Sequence, residues 1–185
     1  MAVQIGAKPD AGFDNPIGMM KDCHRRVERF LDILHQIARR AHGRPLQADE
    51  TAAVNSALTY FRTSGPRHSR DEEDSLFPRL RALGPSSPLA AQLLKEIARL
   101  EADHRQAALL HEEADQLYSS WMADGTLGTQ QAAQLEFATG ELARIYSTHI
   151  AVEEGLIFPH AAELFARKEL DAMAREFRER RELGN

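Results

Sequence analysis

The sequence HSRDEEDSLFP, from His68 to Pro78, recurs 81 residues later as HIAVEEGLIFP, from His149 to Pro159. In both copies a His is followed four positions later by a Glu, then by a second Glu, and then by a Phe-Pro pair. On an α-helix, residues four apart lie one above the other, with Cβ atoms about 5–6 Å apart. An imidazole and a carboxylate in this arrangement can both reach one metal ion, so the two copies predict two halves of one metal site.

A lone His lies upstream of each copy and extends the repeat. His24 precedes His68 by 44 residues, and His104 precedes His149 by 45. The repeating unit is therefore a lone His, an intervening segment and the pattern HxxxEExxxFP. Two copies of one ligand set, related by a pseudo-twofold axis, are what a two-metal centre inside a four-helix bundle requires.

Four long amphipathic segments carry these His residues, each with apolar residues at alternating spacings of three and four. After a loose arm of residues 1–12, the predicted helices cover about 15–42, 48–83, 89–123 and 129 onwards. We therefore predict an all-α fold, an up-down-up-down four-helix bundle. Pro66 should kink the second helix, and Pro78 should kink or end it. The stretch from Lys168 predicts an additional C-terminal helix that caps the bundle or supports a dimer contact.

This order of His and HxxxE resembles the hemerythrin-like, or HHE cation-binding, family, and the resemblance extends from about Phe13 to Phe165. It implies one domain over 1–185, with a hemerythrin-like bundle over 13–166 and a C-terminal capping helix over 167–185. It also implies a non-haem di-iron centre, in which two iron ions share an oxo or hydroxo bridge. By the resemblance, the terminal ligands would be His24, His68, His104 and His149, and the bridging carboxylates would be Glu72 and Glu153.

The competing interpretation of these six residues is structural, since a His on an apolar helix face is usually a core residue with hydrogen-bonded nitrogens. That interpretation would bury two carboxylates without a cation, at a cost on the order of several kcal/mol each. Imidazole and carboxylate ligands suit iron, manganese or zinc. Six ligands in two matched halves fit two five- or six-coordinate ions better than one closed tetrahedral zinc site.

The chain departs from the oxygen-carrying hemerythrins at Ala108, where those proteins have a further His one turn after the third-helix ligand. Four ligand His residues remain instead of five, so either a coordination position is open or another residue fills it. Glu28, four residues after His24, is one candidate, and a solvated charged flank is the alternative for it. The departure argues against simple oxygen carriage and favours chemistry with peroxide or nitric oxide, or other redox chemistry.

Five further residues are candidates for additional ligands or supporting roles. Tyr60 and Tyr146 lie within about two turns of a motif His, and each could offer a phenol or serve as a core aromatic. His111 lies two turns beyond the third-helix ligand, too far for the same iron, which suits a supporting or core position. Glu73 and Glu154 follow the predicted bridging carboxylates, and either accept a hydrogen bond from a ligand imidazole or lie in solvent.

The composition limits the partners and the compartment. With a formal net charge of −5 and a pI of about 5.9, the chain offers no basic surface for nucleic acid. The single cysteine, Cys23, excludes an intrachain disulfide and fits a reducing compartment. The sequence has neither a signal peptide nor an apolar run of about 20 residues. We therefore expect a cytoplasmic protein, monomeric or homodimeric, that does not enter a membrane.

These expectations combine into a di-iron protein that binds or reacts with a small diatomic or peroxide ligand: oxygen, peroxide or nitric oxide. The alternatives are non-enzymatic iron binding or iron homeostasis, oxygen sensing, and a purely structural pair of metals. A sensor usually needs an output domain, and the sequence offers none, which favours a stand-alone enzyme or scavenger.

Overall fold

The computed structural model describes residues 10–85 and 87–182, so most of the predicted N-terminal arm lies outside the described residues. The described residues form seven α-helices and two five-residue π-helical turns. In chain order these are α1 (Pro16–Ala41), α2 (Ala48–Asp71), π1 (Glu72–Leu76), α3 (Phe77–Ala82), α4 (Pro88–Asp124), α5 (Thr129–Val152), π2 (Glu153–Ile157), α6 (Phe158–Leu164) and α7 (Arg167–Glu182). Within these residues there is no strand, and no helix has the length and apolar content to cross a membrane.

Four helical rods build the bundle. The first is α1, the second runs through α2, π1 and α3 without a break, the third is α4, and the fourth runs through α5, π2 and α6. The first rod packs against α2 and α5, and α4 packs against α5 and α2. Short connections make rods that follow one another in sequence antiparallel. The predicted all-α bundle with an additional C-terminal helix is confirmed.

Neither proline of the second rod ends it. Pro66 lies inside α2, which continues through that residue, and the kink expected there stays a prediction. At Pro78 the rod continues as α3, because π1 comes directly before the Phe-Pro pair and the Phe77 N–H donates to the Glu72 carbonyl, five residues back. A proline has no N–H and its ring crowds the carbonyl four residues earlier, so a wider turn at this point accommodates it. The second copy of the repeat has the same solution, with π2 before Pro159.

The loops at one end of the bundle are joined by a backbone contact that requires glycine. The Leu127 N–H donates to the Gly43 carbonyl at 2.9 Å. Gly43 has a φ of 81°, and a Cβ atom there would stand 2.2 Å from the Leu127 carbonyl oxygen. The indole N–H of Trp121 donates to the Arg44 carbonyl at 2.9 Å and fixes the same loop against α4.

Apolar side chains fill the bundle in separate clusters along its length. One cluster surrounds the two Phe-Pro motifs and includes Met20, Leu76, Phe77, Leu100, Ile157 and Phe158. Another lies toward the loops at Gly43 and Leu127 and includes Leu34, Val54, Tyr118, Trp121 and Leu135. The C-terminal helix α7 adds Met173 and Phe177 to the first cluster, both completely buried. The apolar face of α7 is thus used against the bundle.

Candidate metal centre

The six residues predicted as ligands come from all four rods and meet in the interior of the bundle. His24 lies on α1, His68 near the end of α2, His104 on α4 and His149 on α5, while Glu72 and Glu153 are the first residues of π1 and π2. Both carboxylates have 0% exposure. The site is therefore a polar group of side chains enclosed by apolar clusters.

Within each motif, the four-residue spacing brings the imidazole and the carboxylate together as expected. His68 Nε2 lies 3.2 Å from Glu72 Oε1, and His149 Nε2 lies 3.3 Å from Glu153 Oε2. Each Glu also opens a π-helical turn, a feature that is rare and concentrated at functional sites.

The lone His residues make their contacts across the repeat. His24 Nε2 lies 3.0 Å from Glu153 Oε2 and 3.8 Å from Glu72 Oε1. His104 Nε2 lies 3.2 Å from Glu72 Oε2. Each lone His therefore lies closest to the Glu of the other half.

Two groups of four residues could each hold a metal ion. One consists of His24, His68, Glu72 and Glu153, and the other of Glu72, His104, His149 and Glu153. Within each group the candidate ligand atoms all lie within 4.8 Å of one another. Both carboxylates belong to both groups, which is the arrangement required of residues that bridge two ions.

Most of the inward-facing polar atoms lack hydrogen-bond partners among the described residues. These buried atoms are both oxygens of Glu72, both oxygens of Glu153, and Nε2 of His24 and of His149. Several lie close together, as His24 Nε2 and Glu153 Oε2 do, but without the orientation of a hydrogen bond. Buried polar atoms left in this state cost free energy. Lone pairs that converge on a common point fit a cation there, so the donor set fits bound metal.

The outward-facing nitrogens of three imidazoles have carboxylate partners. Nδ1 of His24 lies 2.9 Å from Glu154 Oε1, and Nδ1 of His104 lies 2.7 Å from Glu73 Oε1. Nδ1 of His149 lies 3.5 Å from Asp103 Oδ2, a longer contact than the other two. Such partners fix the ring and keep the proton on Nδ1, so that the Nε2 lone pair faces inward.

Sequence reasoning missed Asp103 as a partner. Its signal was its position directly before His104, at the point where the first half of the repeat has Cys23. His68 Nδ1 is buried and has no hydrogen-bond partner in the described part of the chain.

The Phe residues of the two Phe-Pro pairs lie over the lone His rings, again across the repeat. Phe158 stacks on His24 with centroids 5.2 Å apart and planes 12° apart. Phe77 lies over His104 at 6.4 Å and 15°. The motif therefore provides, in order, an imidazole, an inward carboxylate, an outward carboxylate and an aromatic cover.

The carboxylates dominate the electrostatics of the site. Burial lowers the pKa of His24, but Glu153 and Glu72 outweigh it and raise the pKa to about 11. Burial also opposes charge on His104, and Glu72 contributes most to raising its pKa to about 9. For His68 burial prevails and lowers the pKa to about 4. Although burial works to raise the pKa of Glu72, the neighbouring imidazoles hold it well below the usual range. The carboxylate pair thus draws positive charge into the centre.

The other candidate residues lie outside both groups of four. Glu28 is exposed and belongs to neither group, which favours the solvated alternative for it. Tyr60 is buried and donates its O–H to the Cys23 carbonyl at 3.2 Å. The Tyr146 hydroxyl lies 3.3 Å from His111 Nε2. The Tyr146 ring also lies 6.1 Å from the His149 ring, so this pair borders the site without entering it.

Helix α7 holds the start of π1 in place. Asp71, directly before Glu72, is 1% exposed and lies 2.8 Å from Arg180 Nε and 2.7 Å from an Arg181 guanidinium nitrogen. Arg180 also donates to Ser75 Oγ inside the turn. The C-terminal helix is therefore tied to the segment that positions one of the shared carboxylates.

Comparison with known proteins agrees with this geometry. The family model of the hemerythrin HHE cation-binding domain matches residues 15–161, a range that includes all six residues. The chain is also similar to an uncharacterized protein of Haemophilus influenzae, with 28% identity over 177 residues that cover 94% of each chain. This protein therefore belongs to the hemerythrin HHE cation-binding family and is a metal-binding, hemerythrin-like protein.

Proposed function

We propose that this protein holds two iron ions at the six-residue centre and reacts there with a small oxidant: oxygen, peroxide or nitric oxide. The observation that carries the proposal is the sharing of Glu72 and Glu153 between two groups of potential ligands, with all four carboxylate oxygens unpartnered among the described residues. A single ion would occupy only one of the two groups and leave the two His residues of the other group without a metal, whereas two ions use all six residues.

Each residue has a definite role in this proposal. His24 and His68 would hold one ion, His104 and His149 would hold the other, and the two carboxylates would bridge them. Mixed imidazole and oxygen ligation with room for five or six ligands suits iron better than a closed tetrahedral zinc site. When bound, the ions supply electrons for an oxidant and a Lewis-acidic position for its oxygen or nitrogen atom.

The surrounding residues support this chemistry by holding and shielding the ligands. Glu154 and Glu73 accept hydrogen bonds from Nδ1 of His24 and His104 and fix these rings, and Asp103 lies near Nδ1 of His149. Phe158 and Phe77 cover the lone His rings and keep water away from that end of the centre.

The oxidant would reach the centre from the side of His104. Ala108, one turn after His104, is exposed and lines a cavity that reaches His104. No larger side chain stands at that position, and Glu28 at the corresponding position after His24 points to solvent. The half of the centre that contains His104 and His149 would therefore receive the oxidant, and this open position favours reaction over simple oxygen carriage.

The test is metal content per chain together with the visible spectrum of the reduced protein before and after addition of peroxide. We expect two irons and a new absorption in the wild type, and loss of both in Glu72→Ala. Repeated consumption of peroxide with an added reductant would identify an enzyme or scavenger, while a single turnover would identify iron binding without catalysis. One zinc per chain, or two irons that react with none of peroxide, oxygen and nitric oxide, would overturn the proposal.

A further inference from the structure

A large cavity lies between α2 and α4 and extends inward to the proposed iron centre. Its volume is about 540 Å³, and its wall includes Glu73 and His104 at the inner end. Exposed residues at the mouth include Arg62, Arg105 and Glu112. Between them the wall is largely apolar, with Leu58, Phe61, Pro66, Ala108 and Ala114.

The volume of this cavity exceeds what a small oxidant needs. One water molecule takes up about 30 Å³ of liquid, and oxygen, nitric oxide and hydrogen peroxide are of similar size. Pockets for organic ligands typically measure about 300–1,000 Å³. A cavity of about 540 Å³ therefore has room for the body of an organic molecule beside the centre.

The cavity arises where the two halves of the repeat differ. Ala108 follows His104 at the spacing at which Glu28 follows His24. Gly65 precedes His68 at the spacing at which Tyr146 precedes His149, and both of these residues line the cavity. The symmetric features of the repeat build the metal centre, and these unsymmetric residues build the space next to it.

Gly65 adds no side chain to the cavity wall. A Cβ atom at this position would meet the Phe61 ring at 3.6 Å and the Tyr60 carbonyl at 3.8 Å, which are ordinary contacts. Gly65 also directly precedes Pro66 inside α2, and a proline ring disfavours the helical conformation for a preceding residue that has a Cβ. The glycine therefore both allows α2 to continue into Pro66 and leaves room in the cavity wall.

The wall suits an uncharged molecule with an aromatic or branched apolar body. The Phe61 and His111 rings lie 4.4 Å apart, and His111 continues to Tyr146 through a 3.3 Å contact. Burial lowers the pKa of His111 to about 4, so this imidazole is neutral at physiological pH. At the inner end, Glu73 lies against His104, and its negative charge disfavours an anionic ligand.

We propose that the cavity binds an organic hydroperoxide, with its apolar body against Phe61 and Ala108 and its peroxide end toward His104. This assignment rests on the proposed function and specifies the oxidant as an organic hydroperoxide. Reduction of the hydroperoxide cleaves the O–O bond, takes up two protons and two electrons, and releases the corresponding alcohol and water. With iron bound, the two electrons would come from oxidation of two ferrous ions to the ferric state.

Binding is tested with 2-phenyl-2-propanol, the alcohol that corresponds to cumene hydroperoxide, titrated calorimetrically into the full-length, iron-loaded and metal-free proteins. The test variant is Ala108→Leu, which fills the cavity with a good helix former. The matched control is Ala98→Leu, the same change at an exposed position of α4 outside the cavity wall. A second variant, Gly65→Ala, narrows the cavity by a methyl group in ordinary contact with the Phe61 ring.

We expect the alcohol to bind the wild type and the control alike, and to bind Ala108→Leu at least tenfold more weakly. In the iron-loaded protein, the ratio of kcat/KM for cumene hydroperoxide to kcat/KM for hydrogen peroxide should also fall at least tenfold in that variant, with a smaller fall in Gly65→Ala. Consumption of hydrogen peroxide without alcohol binding, or an unchanged ratio in both variants, would overturn the hydroperoxide assignment and leave the proposed function standing. Alcohol binding by an iron-loaded protein that reacts with neither peroxide, oxygen nor nitric oxide would overturn both.

Discussion

Nε2 of His24 lies 3.0 Å from Oε2 of Glu153, although the two residues belong to different copies of the repeat. His104 and Glu72 have the same relationship, at 3.2 Å. The cause is the packing of α1 beside α5 and of α4 beside α2, which places each lone His next to the motif of the other half. Neither half of the sequence contains a complete group of four, so the centre depends on the assembled bundle.

Removal of one shared charge should affect both ions. We expect Glu153→Gln to reduce the metal content from two ions per chain to one or none, because this carboxylate belongs to both groups. The metal-free variant should also be less stable than the metal-free wild type, because the buried His24, whose pKa is raised to about 11, loses its closest carboxylate. Elemental analysis and thermal unfolding measure the two effects. Glu163→Gln, at an exposed position of α6, is the control, and retention of two ions in Glu153→Gln would exclude a bridging role.

Loss of an outward carboxylate should weaken metal binding without removing a ligand. In Glu73→Ala, Nδ1 of His104 loses the acceptor that lies 2.7 Å away. We expect metal affinity to fall about 10–100-fold, the effect usual for partners of ligand imidazoles. Competition with a chelator measures this change. Asp74→Ala, the exposed neighbour in π1, should leave the affinity unchanged, and equal effects of the two substitutions would argue that the turn as a whole matters and not the Glu73 contact.

The pairing of Asp71 with α7 should contribute strongly to stability. In the double variant Arg180→Ala with Arg181→Ala, a carboxylate with 1% exposure loses both guanidinium partners. We expect a loss of about 3–5 kcal/mol in the free energy of unfolding of the metal-free protein, measured with urea. Adding Asp71→Asn to the double variant should recover much of the loss, because the uncompensated charge is gone. Arg175→Ala, exposed on the same helix, is the control, and a loss of similar size there would remove the role assigned to the pair.

Two glycines with similar backbone angles should respond differently to alanine. Gly43 and Gly125 have φ values of 81° and 75°, so each substitution costs about 1–2 kcal/mol of backbone strain. At Gly125 nothing lies within 4 Å of the new Cβ, whereas at Gly43 the Leu127 carbonyl oxygen would be 2.2 Å away. Gly43→Ala should therefore destabilise the protein clearly more than Gly125→Ala in chemical denaturation. Equal losses in the free energy of unfolding would mean that the loops at Gly43 and Leu127 can move apart without a measurable cost.

Several contacts could not be read from the sequence even where the residues were recognised. The sequence offered Glu73 and Glu154 either an imidazole or solvent, and the choice depends on the rotation of π1 and π2 relative to α4 and α1. Asp103 escaped notice because its contact is with His149, which lies on another helix. At Pro66, local propensity alone disfavours a helix interior, while packing of the surrounding rods keeps α2 continuous.

The sequence by itself determined the helical bundle and the family, and it predicted the six residues that meet in the interior of the bundle. These follow from local geometry, since a spacing of four residues places two side chains on one face of a helix, and from a repeat that supplies the same set twice. Only the tertiary structure decided that the lone His residues meet the carboxylates of the opposite half. It also decided that each shared Glu begins a π turn directly before a Phe-Pro pair, and that one side of the centre opens into a cavity. The physical reason is that such contacts join residues far apart in the chain, so they depend on which rods are neighbours and how each rod is rotated about its axis.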